Sequence, residues 1–342
     1  MFCVEGSIYY ILGRCLYALF HNNIIYKDED KSQRLAHILH RLFDYLFNTI
    51  CYAIYITESS FKKITKMIGG KYRLIEMIGE GAFGAVLKGE HVHNNEKVAI
   101  KIEKKCSPIN MLKNESKIYL MLNKEDSVGG FPNLKWFGKD EQFYYMVLEL
   151  LGESLVSFKS TSSLDLSIPL PIVAKIGVQI IQRIKSVHQK GLIHRDIKPD
   201  NFLFGLGRNS QTVYLIDFGF CKNYVTPEGD HIAKGGVTSG VIGTPNFVSV
   251  NAHEFLQTSR RDDIESAIYV LIYLFLPLAQ WRKTFSDNMT NDQIKRAKMS
   301  MRSPDNALLN GTPFAELLSR CDALEYEEEP NYVRLSHLIS LF

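Results

Sequence analysis

The sequence predicts an α+β fold built of two lobes, a small β-rich lobe followed by a larger helical one. Three short β-rich runs follow Gly70 and read YRLIEMIG (Tyr72 to Gly79), GAVLKGEH (Gly84 to His91) and EKVAIKIE (Glu96 to Glu103). Beyond Gly152 the chain changes to long stretches with helical periodicity. A β-rich part followed by a helical part favours an α+β pair of lobes with a cleft between them.

The elements are expected in a definite order along these lobes. The three β-rich runs are expected to form an antiparallel meander, and the segment INMLKNESKIYLMLNK after them is expected to be a helix. Further strands are expected around LKWFGKD and FYYMVLELL. The strongest helical stretches are PLPIVAKIGVQIIQRIKSVHQK (Pro169 to Lys190) and RRDDIESAIYVLIYLFLPL (Arg260 to Leu278). The small lobe is therefore assigned to residues 67–151 and the large lobe to residues 152–342.

The first 66 residues are interpreted as an N-terminal extension, residues 1–66. Apolar residues recur at three- and four-residue steps from Leu35 to Ile54, which predicts one amphipathic helix. The simpler interpretation is a helix that lies on the main domain, and the alternative is a surface that docks on a partner or a membrane interface. A third hypothesis is that the native product begins at Met67 and that the extension is not made.

Length, charge and cysteine content exclude several classes of protein. With 342 residues, of which 46% are hydrophobic, the chain can bury the core of an enzyme with a cleft. A formal net charge of +3 does not indicate a nucleic-acid-binding protein. The apolar segment from Tyr45 to Thr57 is shorter than the ~20 residues of a membrane span. The six cysteines form no CxxC pair and no metal-like spacing, so we expect reduced thiols in a cytoplasmic or nuclear protein.

A glycine triplet, Gly79, Gly81 and Gly84, lies between two predicted strands. A dinucleotide-binding fingerprint would instead run from a strand into a helix, so the context favours a hairpin lid whose backbone N–H groups point at phosphates. Taken alone, an ordinary glycine-containing hairpin explains the triplet equally well. The residues assigned to nucleotide binding here are Ile78, Gly79, Glu80, Gly81, Ala82, Phe83, Gly84, Val86 and, in the third strand, Ala99.

Lys101 follows Val98, Ala99 and Ile100 in the third predicted strand, and Glu115 lies in the predicted helix after it. A single lysine or glutamate is usually a solvated surface charge. A strand that points Lys101 inward would bury an ammonium group, and a buried ammonium group needs an anionic partner. We therefore predict that Glu115 binds Lys101 and holds it against the α- and β-phosphates of a nucleotide.

The stretch HRDIKPDN places three polar residues at one reacting centre. Asp196 is predicted to accept the proton of an incoming hydroxyl, Lys198 to lie beside the transferred phosphoryl group, and Asn201 to bind a metal ion through its amide oxygen. Pro199 is expected to keep the segment in a loop. Farther on, VYLIDFG ends an apolar strand at Asp217, the second metal ligand in this prediction. Mg²⁺ prefers such oxygen ligands together with nucleotide phosphates.

These motifs together resemble a eukaryotic-type protein kinase, from about Lys71 to the C-terminus, and their details resemble the casein kinase I branch of serine/threonine kinases. The branch-level resemblance lies in ESKIY, LELLGESL, HRDIKPDNFLFGLG, SRRDDIESAIYVLIY and EPNYVRLSHLISLF. It implies a bilobal protein-kinase fold, ATP and Mg²⁺ as cofactors, and transfer of the γ-phosphoryl group to Ser or Thr of protein substrates, acidic ones among the candidates. It also implies a monomeric catalytic domain. By position, the resemblance puts Leu148 at the back of the adenine pocket and pairs the backbone of Glu149 and Leu151 with adenine.

The segment GTPNFVSVNAHEF, from Gly243 to Phe255, carries Ser-Val-Asn where many kinases have Ala-Pro-Glu. It resembles the Ser-Ile-Asn of casein kinase I, a branch that typically needs no activation-loop phosphate, so basal activity is expected. Pro245 and Asn246 replace the Ala and Arg that are usual in the branch. Because bidentate Arg–phosphate pairing contributes much to the recognition of a phosphorylated substrate, we expect a weakened preference for primed substrates. Candidates for partial compensation are Lys234, Arg282 and Lys283.

Two other functions stay open from the sequence. A pseudokinase scaffold would be favoured by loss of any of four residues that are all present, namely Lys101, Asp196, Asn201 and Asp217. A small-molecule phosphotransferase commonly uses a similar catalytic loop, but SRRDDIESAIYVL and the segment from Gly243 to Phe255 favour a protein substrate by resemblance.

Overall fold

The structure of the chain is a computed structural model, and it describes residues 67–81, 84–105, 111–124, 129–162, 167–303, 305–309 and 311–342. The helix expected between Leu35 and Ile54 lies outside the described residues, as do Ala82 and Phe83 of the glycine loop. The division of the chain into an extension and two lobes, after residues 66 and 151, stays a prediction.

Six strands form one antiparallel sheet in the order β1-β2-β3-β4-β6-β5. Their bounds are β1 Met67–Ile68, β2 Tyr72–Gly81, β3 Gly84–His91, β4 Lys97–Lys104, β5 Leu134–Lys139 and β6 Phe143–Glu149. β2, β3 and β4 pair in succession, which confirms the expected meander. Because side chains alternate across a strand, Ile100 and Ile102 of β4 are buried on one face, and Lys101 lies on the other.

Helix α1, Met111–Lys124, packs against this sheet. Four of its buried residues recur at three- and four-residue steps, the spacing of one helix face: Leu112, Glu115, Tyr119 and Leu122. The carboxylate of Glu103, near the end of β4, accepts the N–H groups of Met111 (3.2 Å) and Leu112 (2.9 Å). A carboxylate at this position satisfies free N–H groups at the helix start and favours the helix dipole. This contact fixes the start of α1 beside the strand that carries Lys101.

Beyond β6 the described chain contains eight α-helices and four strands of two or three residues, joined by turns and loops. The helices are α2 Leu155–Ser162, α3 Leu170–Gln189, α4 Val250–His253, α5 Arg260–Phe275, α6 Leu278–Thr284, α7 Asn291–Ser300, α8 Phe314–Asp322 and α9 Tyr332–Ser340. The strands are β7 Leu192–Ile193, β8 Phe202–Phe204, β9 Val213–Leu215 and β10 Lys222–Asn223. β7 pairs with β10 and β8 with β9, both antiparallel. α3 packs on α5 and α9, and these contacts build much of the helical core.

Helix α5 lies at the centre of the helical part, where every residue from Asp262 to Leu274 is buried. At its start Asp262 accepts the backbone N–H of Ser259 (2.7 Å). The sequence predicts that this helix continues to Leu278, and that prediction is wrong because α5 ends at Phe275. Pro277 follows Leu276, and steric clash with a proline disfavours helical backbone in the residue before it. Leu276 accordingly has an extended backbone, which ends the helix.

The antiparallel sheet and the nine α-helices of the described ranges form the α+β fold that the sequence predicts. The segment between β6 and α2 contains the predicted lobe boundary, and there the N–H of Gly152 donates to the carbonyl oxygen of Phe204 (2.7 Å). Within the described ranges, no helix is long and apolar enough to cross a membrane.

Candidate active site

Lys101 lies at the centre of the site, with its Nζ atom 2.8 Å from Glu115 Oε2 and 2.8 Å from Asp217 Oδ1. The lysine side chain is only 15% exposed. Burial by itself lowers the pKa of the ammonium group, but the charges of Glu115 and Asp217 outweigh burial and raise the pKa. Lys101 is therefore charged at neutral pH, and its carboxylate partner on α1 is the residue that the sequence predicts.

Glu115 connects the lysine to the segment that follows β9. Burial raises the pKa of its carboxyl group, and the charge of Lys101 opposes that rise. Its Oε2 atom binds Lys101, while Oε1 accepts the backbone N–H of Phe218 (3.3 Å). One carboxylate therefore joins β4, α1 and the chain immediately after Asp217.

Asp217 has a left-handed backbone with φ of 65°. This conformation costs a residue other than glycine about 1–2 kcal/mol, so neighbouring contacts have to hold it. The hydroxyl of Tyr119 accepts the N–H of Asp217 (3.2 Å), and its ring packs edge-on against Phe218 at 4.9 Å. Burial alone would raise the pKa of the Asp217 carboxyl group, but Lys101 outweighs burial and lowers the pKa.

Asp196 is buried, and both oxygens of its carboxylate have donors. Oδ1 accepts the N–H (3.0 Å) and the hydroxyl (2.9 Å) of Thr244, and Oδ2 lies 2.8 Å from Lys198 Nζ. These contacts fix the carboxylate in one place, where it is able to orient and deprotonate a hydroxyl. Sequence reasoning missed Thr244, although the residue stands directly before the divergent pair Pro245 and Asn246.

Asn201 lies in a short 3₁₀ turn, Pro199–Asn201, where an irregular loop is expected from the sequence. The proline still explains the turn, because its fixed φ fits the first position of a helix. Asn201 Nδ2 donates to the carbonyl oxygen of Asp196 (2.8 Å), which directs Oδ1, the acceptor end of the amide, away from that bond.

The hairpin of β8 and β9 brings Asn201 close to Asp217. Phe202 pairs with Leu215, and the backbone oxygen of Asn201 accepts the N–H of Ile216 (2.9 Å), one residue before Asp217. An amide oxygen and a carboxylate are oxygen ligands of the kind that Mg²⁺ prefers. The donor set therefore fits the metal that the sequence predicts at these two residues.

Asp263, in the first turn of α5, holds the start of the stretch from His194 to Asn201 by accepting its backbone N–H groups. Its carboxylate accepts the N–H groups of His194 (2.6 Å) and Arg195 (2.9 Å), and His188 Nε2 lies 3.0 Å from it. Burial raises the pKa of Asp263, but the hydrogen bond and charge of His188 outweigh burial and lower the pKa. Arg195 has φ of 68°, and the ionised carboxylate stabilises this strained backbone. The sequence motif around Asp263 indicates a family but no role for the residue.

The glycine hairpin has strands on both sides, because Gly79 pairs with Val86 and Gly81 pairs with Gly84. Gly84 has φ of 146°, and a Cβ atom there would lie 1.9 Å from the carbonyl oxygen of Ile102. Only glycine fits so close an approach to β4, the strand that carries Lys101. This geometry is a hairpin, as the context of the glycine triplet predicts, and differs from a strand-to-helix dinucleotide fingerprint.

The residues assigned to adenine lie on two neighbouring strands or just beyond them. Ala99 of β4 pairs with Leu148 of β6, and Val98 pairs with Glu149. Leu148 is buried, whereas Ile78 on β2 is exposed. Leu151 lies just beyond the end of β6. The sheet thus places Ala99 beside Leu148, and the hinge assignments stay predictions.

One family comparison covers most of the chain: the family model for the protein kinase domain matches residues 72–324. Every residue of the site described above lies within the match. The family implies ATP as phosphate donor, usually with Mg²⁺, and proteins as substrates. The expected resemblance to a eukaryotic-type protein kinase is thereby confirmed. The chain belongs to the protein kinase domain family.

Proposed function

We propose that the chain is a serine/threonine protein kinase of casein kinase I type, which transfers the γ-phosphoryl group of ATP to protein substrates in the presence of Mg²⁺. The observation that carries the proposal is the bridge from Lys101 to both Glu115 and Asp217, three residues from three separate parts of the chain. A scaffold that only bound partners would gain little from holding three charges at one largely buried point, because withdrawing a charge from water costs solvation energy.

The nucleotide is proposed to lie under the glycine hairpin. Backbone N–H groups between Gly79 and Gly84 would contact its phosphates, and Lys101, oriented by Glu115, would neutralise the α- and β-phosphates. Leu148 would close the back of the adenine pocket, and the backbone of Glu149 and Leu151 would pair with the base. These roles follow from the family resemblance, and the register of β4 with β6 supports them.

Asp196 is proposed to orient the substrate hydroxyl and to accept its proton. Thr244 and Lys198 hold its carboxylate in place, and Lys198 would also stabilise charge on the moving phosphoryl group. Asn201 and Asp217 are assigned to Mg²⁺, which neutralises phosphate charge when it is bound. Positioning and electrostatics are therefore the proposed contribution of these side chains to catalysis.

The Ser-Val-Asn segment supports activity without an activation-loop phosphate. Ser249 caps α4 by accepting the N–H of Ala252 (3.2 Å), and its hydroxyl donates to Asp262 Oδ1 (2.6 Å). Asn251 Nδ2 donates to the same oxygen (3.0 Å). These bonds hold the segment on α5 through side chains of the chain itself, as expected for the casein kinase I branch.

Selectivity is proposed to differ from that of the branch at Asn246. The side chain is half-buried and offers a neutral amide where an Arg would bind a phosphate already present on the substrate. The basic residues considered for compensation, Lys234, Arg282 and Lys283, are exposed. We therefore propose that the preference for primed over unprimed proteins is weaker than is usual in the branch.

The remaining parts of the proposal follow from the resemblance and from composition. We propose a monomeric catalytic domain that acts in the cytoplasm or nucleus on Ser or Thr residues of proteins, acidic sequences among them. The scaffold and the small-molecule phosphotransferase are the competing functions.

The proposal is tested by incubating the full-length protein with ATP, Mg²⁺ and casein and identifying the phosphorylated amino acids in the product. Phosphoserine and phosphothreonine that depend on both ATP and Mg²⁺ are expected. Phosphotyrosine alone would contradict the Ser/Thr assignment. Nucleotide binding without transfer to any protein would favour the scaffold.

A matched pair of peptides, identical except for a phosphoserine N-terminal to the acceptor, tests the proposed selectivity. Without an Arg at position 246, kcat/KM for the primed peptide is expected within about tenfold of the unprimed value, because one Arg–phosphate contact is missing. Asn246→Arg is expected to raise the primed/unprimed ratio. A ratio that does not respond to Asn246→Arg would show that this residue does not determine selectivity.

A further inference from the structure

Lys298, on α7, is a fully buried lysine outside the catalytic residues. Its ammonium group donates to the carbonyl oxygens of Pro245 (2.7 Å) and Val248 (2.5 Å), and it lies 3.0 Å from His253 Nε2. An ammonium group has three donors, so these three acceptors satisfy it fully. The ring of Tyr269, 4.7 Å from Nζ, adds a cation–π contact.

The hydrogen-bond acceptors of Lys298 are neutral groups, two carbonyl oxygens and an imidazole. Burial therefore lowers the pKa of Lys298 well below its usual value. Replacing a buried charge with a well-packed apolar side chain is often neutral or stabilising, so stability alone does not account for a lysine here. The arrangement of the acceptors accounts for the lysine, because all three belong to the short stretch of chain from Pro245 to His253, which Lys298 joins to α7.

That stretch begins next to the proposed catalytic base. The backbone N–H groups of Phe247 (2.9 Å) and Val248 (3.1 Å) turn back to the carbonyl oxygen of Thr244, which forms a tight turn. Thr244 in turn donates both its N–H and its hydroxyl to Asp196. By binding the carbonyl oxygens of Pro245 and Val248, Lys298 closes the turn whose first residue holds Asp196.

His253 and Asn291 extend the same contact. Because His253 Nε2 accepts from Lys298, the ring proton lies on Nδ1, which binds Asn291 Oδ1. Asn291 Nδ2 donates back to the carbonyl oxygen of His253 (3.0 Å). Burial and the charge of Lys298 lower the pKa of His253 to about 4, so the ring stays a neutral acceptor at neutral pH. α7 therefore binds the segment from Gly243 to Phe255 at two points, through Lys298 and Asn291.

We propose that Lys298 is a positioning residue for protein substrates, which holds the turn from Thr244 to Val248 in the shape that presents a substrate to Asp196. It acts with His253 and Asn291 and takes no part in nucleotide binding. The kinetic part of this inference rests on the proposed kinase function, whereas the structural part, that α7 holds the turn, does not.

The test uses the full-length protein and compares Lys298→Met with Lys295→Met, a lysine on the same helix that is partly exposed and pairs with Glu254 (3.7 Å). Amide hydrogen exchange is measured by peptide, nucleotide affinity with a fluorescent ADP analogue, and kcat and KM with casein. In Lys298→Met, exchange over residues 244–253 is expected to rise at least about tenfold, with α5 unchanged. The value of kcat/KM for casein is expected to fall by about 10²-fold, because the reacting groups are misplaced. Nucleotide affinity is expected to stay within about twofold.

Several results would overturn the inference. Exchange that is equal in Lys298→Met and wild type would show that the lysine does not hold the turn. Equal losses of nucleotide affinity and transfer would indicate a general structural role. If Lys298→Met does not fold, Asn291→Ala loosens His253 without touching a buried charge, and it must show the same pattern at smaller size. If the wild type transfers no phosphate, the kinase proposal fails, and the exchange data still decide whether Lys298 holds the turn.

Discussion

Two lysines, the largely buried Lys101 in the sheet and the fully buried Lys298 on α7, lie in opposite electrostatic surroundings. Lys101 is bound by two carboxylates, which raise its pKa in spite of burial. Lys298 is bound by two carbonyl oxygens and an imidazole, and burial lowers its pKa. The same side chain therefore serves as a fixed positive charge in one region and as a three-way hydrogen-bond donor in the other.

The difference corresponds to two proposed roles: Lys101 takes part in the chemistry, and Lys298 positions a backbone turn. A lysine that neutralises phosphates must stay charged when no other cation is near, and carboxylate partners ensure this. A lysine that shapes a backbone turn needs only directed N–H groups, and neutral acceptors suffice. We therefore expect substitutions at Lys101 to affect catalysis strongly, and substitutions in the surroundings of Lys298 to affect substrate use and stability.

The largest expected effect follows removal of the charged lysine. Lys101→Met is expected to lower kcat for casein by about 10²–10³-fold, because one electrostatic contact in the reacting centre is lost. The control is Lys97→Met, an exposed lysine on the same strand that pairs with Glu90. Steady-state kinetics with a fluorescence melting curve for each variant checks the result. Full activity in Lys101→Met would break the comparison between the two lysines.

A smaller loss is expected when only one of the two carboxylates is changed. Glu115→Gln keeps the shape of the side chain and leaves Asp217 to hold Lys101. Because a neutral amide holds the ammonium group less firmly, kcat is expected to fall by about tenfold, which is less than in Lys101→Met. A loss as large as that of Lys101→Met would show that Glu115 is as important as the lysine and that Asp217 does not retain it.

Acidic pH tests the surroundings of Lys298 through the neighbouring imidazole of His253, whose protonation changes the stability of the fold. The pKa of His253 is about 4 in the folded chain and about 6.5 in the unfolded chain. Between these values the unfolded chain binds a proton that the folded chain does not, so stability falls as pH falls through this window. The free energy of unfolding is expected to drop by about 3 kcal/mol at this site. Denaturant titrations of wild type and His253→Gln check this, and equal pH slopes in the two would contradict it.

Alkaline pH should reveal contributions of opposite sign from the two lysines. The pKa of Lys298 is lowered on folding, so its part of the stability increases as pH rises towards about 10.5, where the unfolded lysine loses its proton. The pKa of Lys101 is raised, so its part is complete below about 10.5 and is lost above it. Unfolding free energies of the two Met variants, measured against pH, should differ from wild type with opposite slopes. Slopes of the same sign would contradict the comparison.

The sequence predicts one of the two carboxylate partners of Lys101, Glu115, because the signals for this pair are local. It assigns Asp217 to a metal ion and does not predict the bond from Asp217 to Lys101. Alternation along β4 turns Lys101 away from Ile100 and Ile102, and the helical spacing of α1 carries Glu115 to its buried face. Short motifs likewise identify Asp196 and Asn201. In the structure the side-chain amide of Asn201 donates to the backbone carbonyl oxygen of Asp196. In each case one strand, helix or turn already determines which way the side chain points.

The surroundings of Lys298 are not predictable in this way. The stretch QIKRAKMS has the composition of an exposed helix. Lys298 stands four residues after Ile294, on the same face of the helix, but a lysine at such a position is ordinarily solvated, so the spacing alone does not predict a buried ammonium group. Its burial depends on the packing of α7 against a turn about fifty residues earlier in the chain. The contacts of Thr244 and Asp263 are not predictable for the same reason. Thr244 donates to the carboxylate of Asp196, and the carboxylate of Asp263 accepts the N–H of His194, and in both pairs the partner is far away in sequence.

The most direct test of the central claim, that Asp196 is the catalytic base of a protein kinase, is the initial rate of phosphate transfer from ATP to casein. The full-length wild type is compared with Asp196→Asn and with Asp200→Asn, an exposed carboxylate four residues farther along the same stretch. The rate is expected to fall by about 10²–10⁴-fold in Asp196→Asn and to stay within about threefold in Asp200→Asn. Equal rates for Asp196→Asn and wild type would contradict the claim.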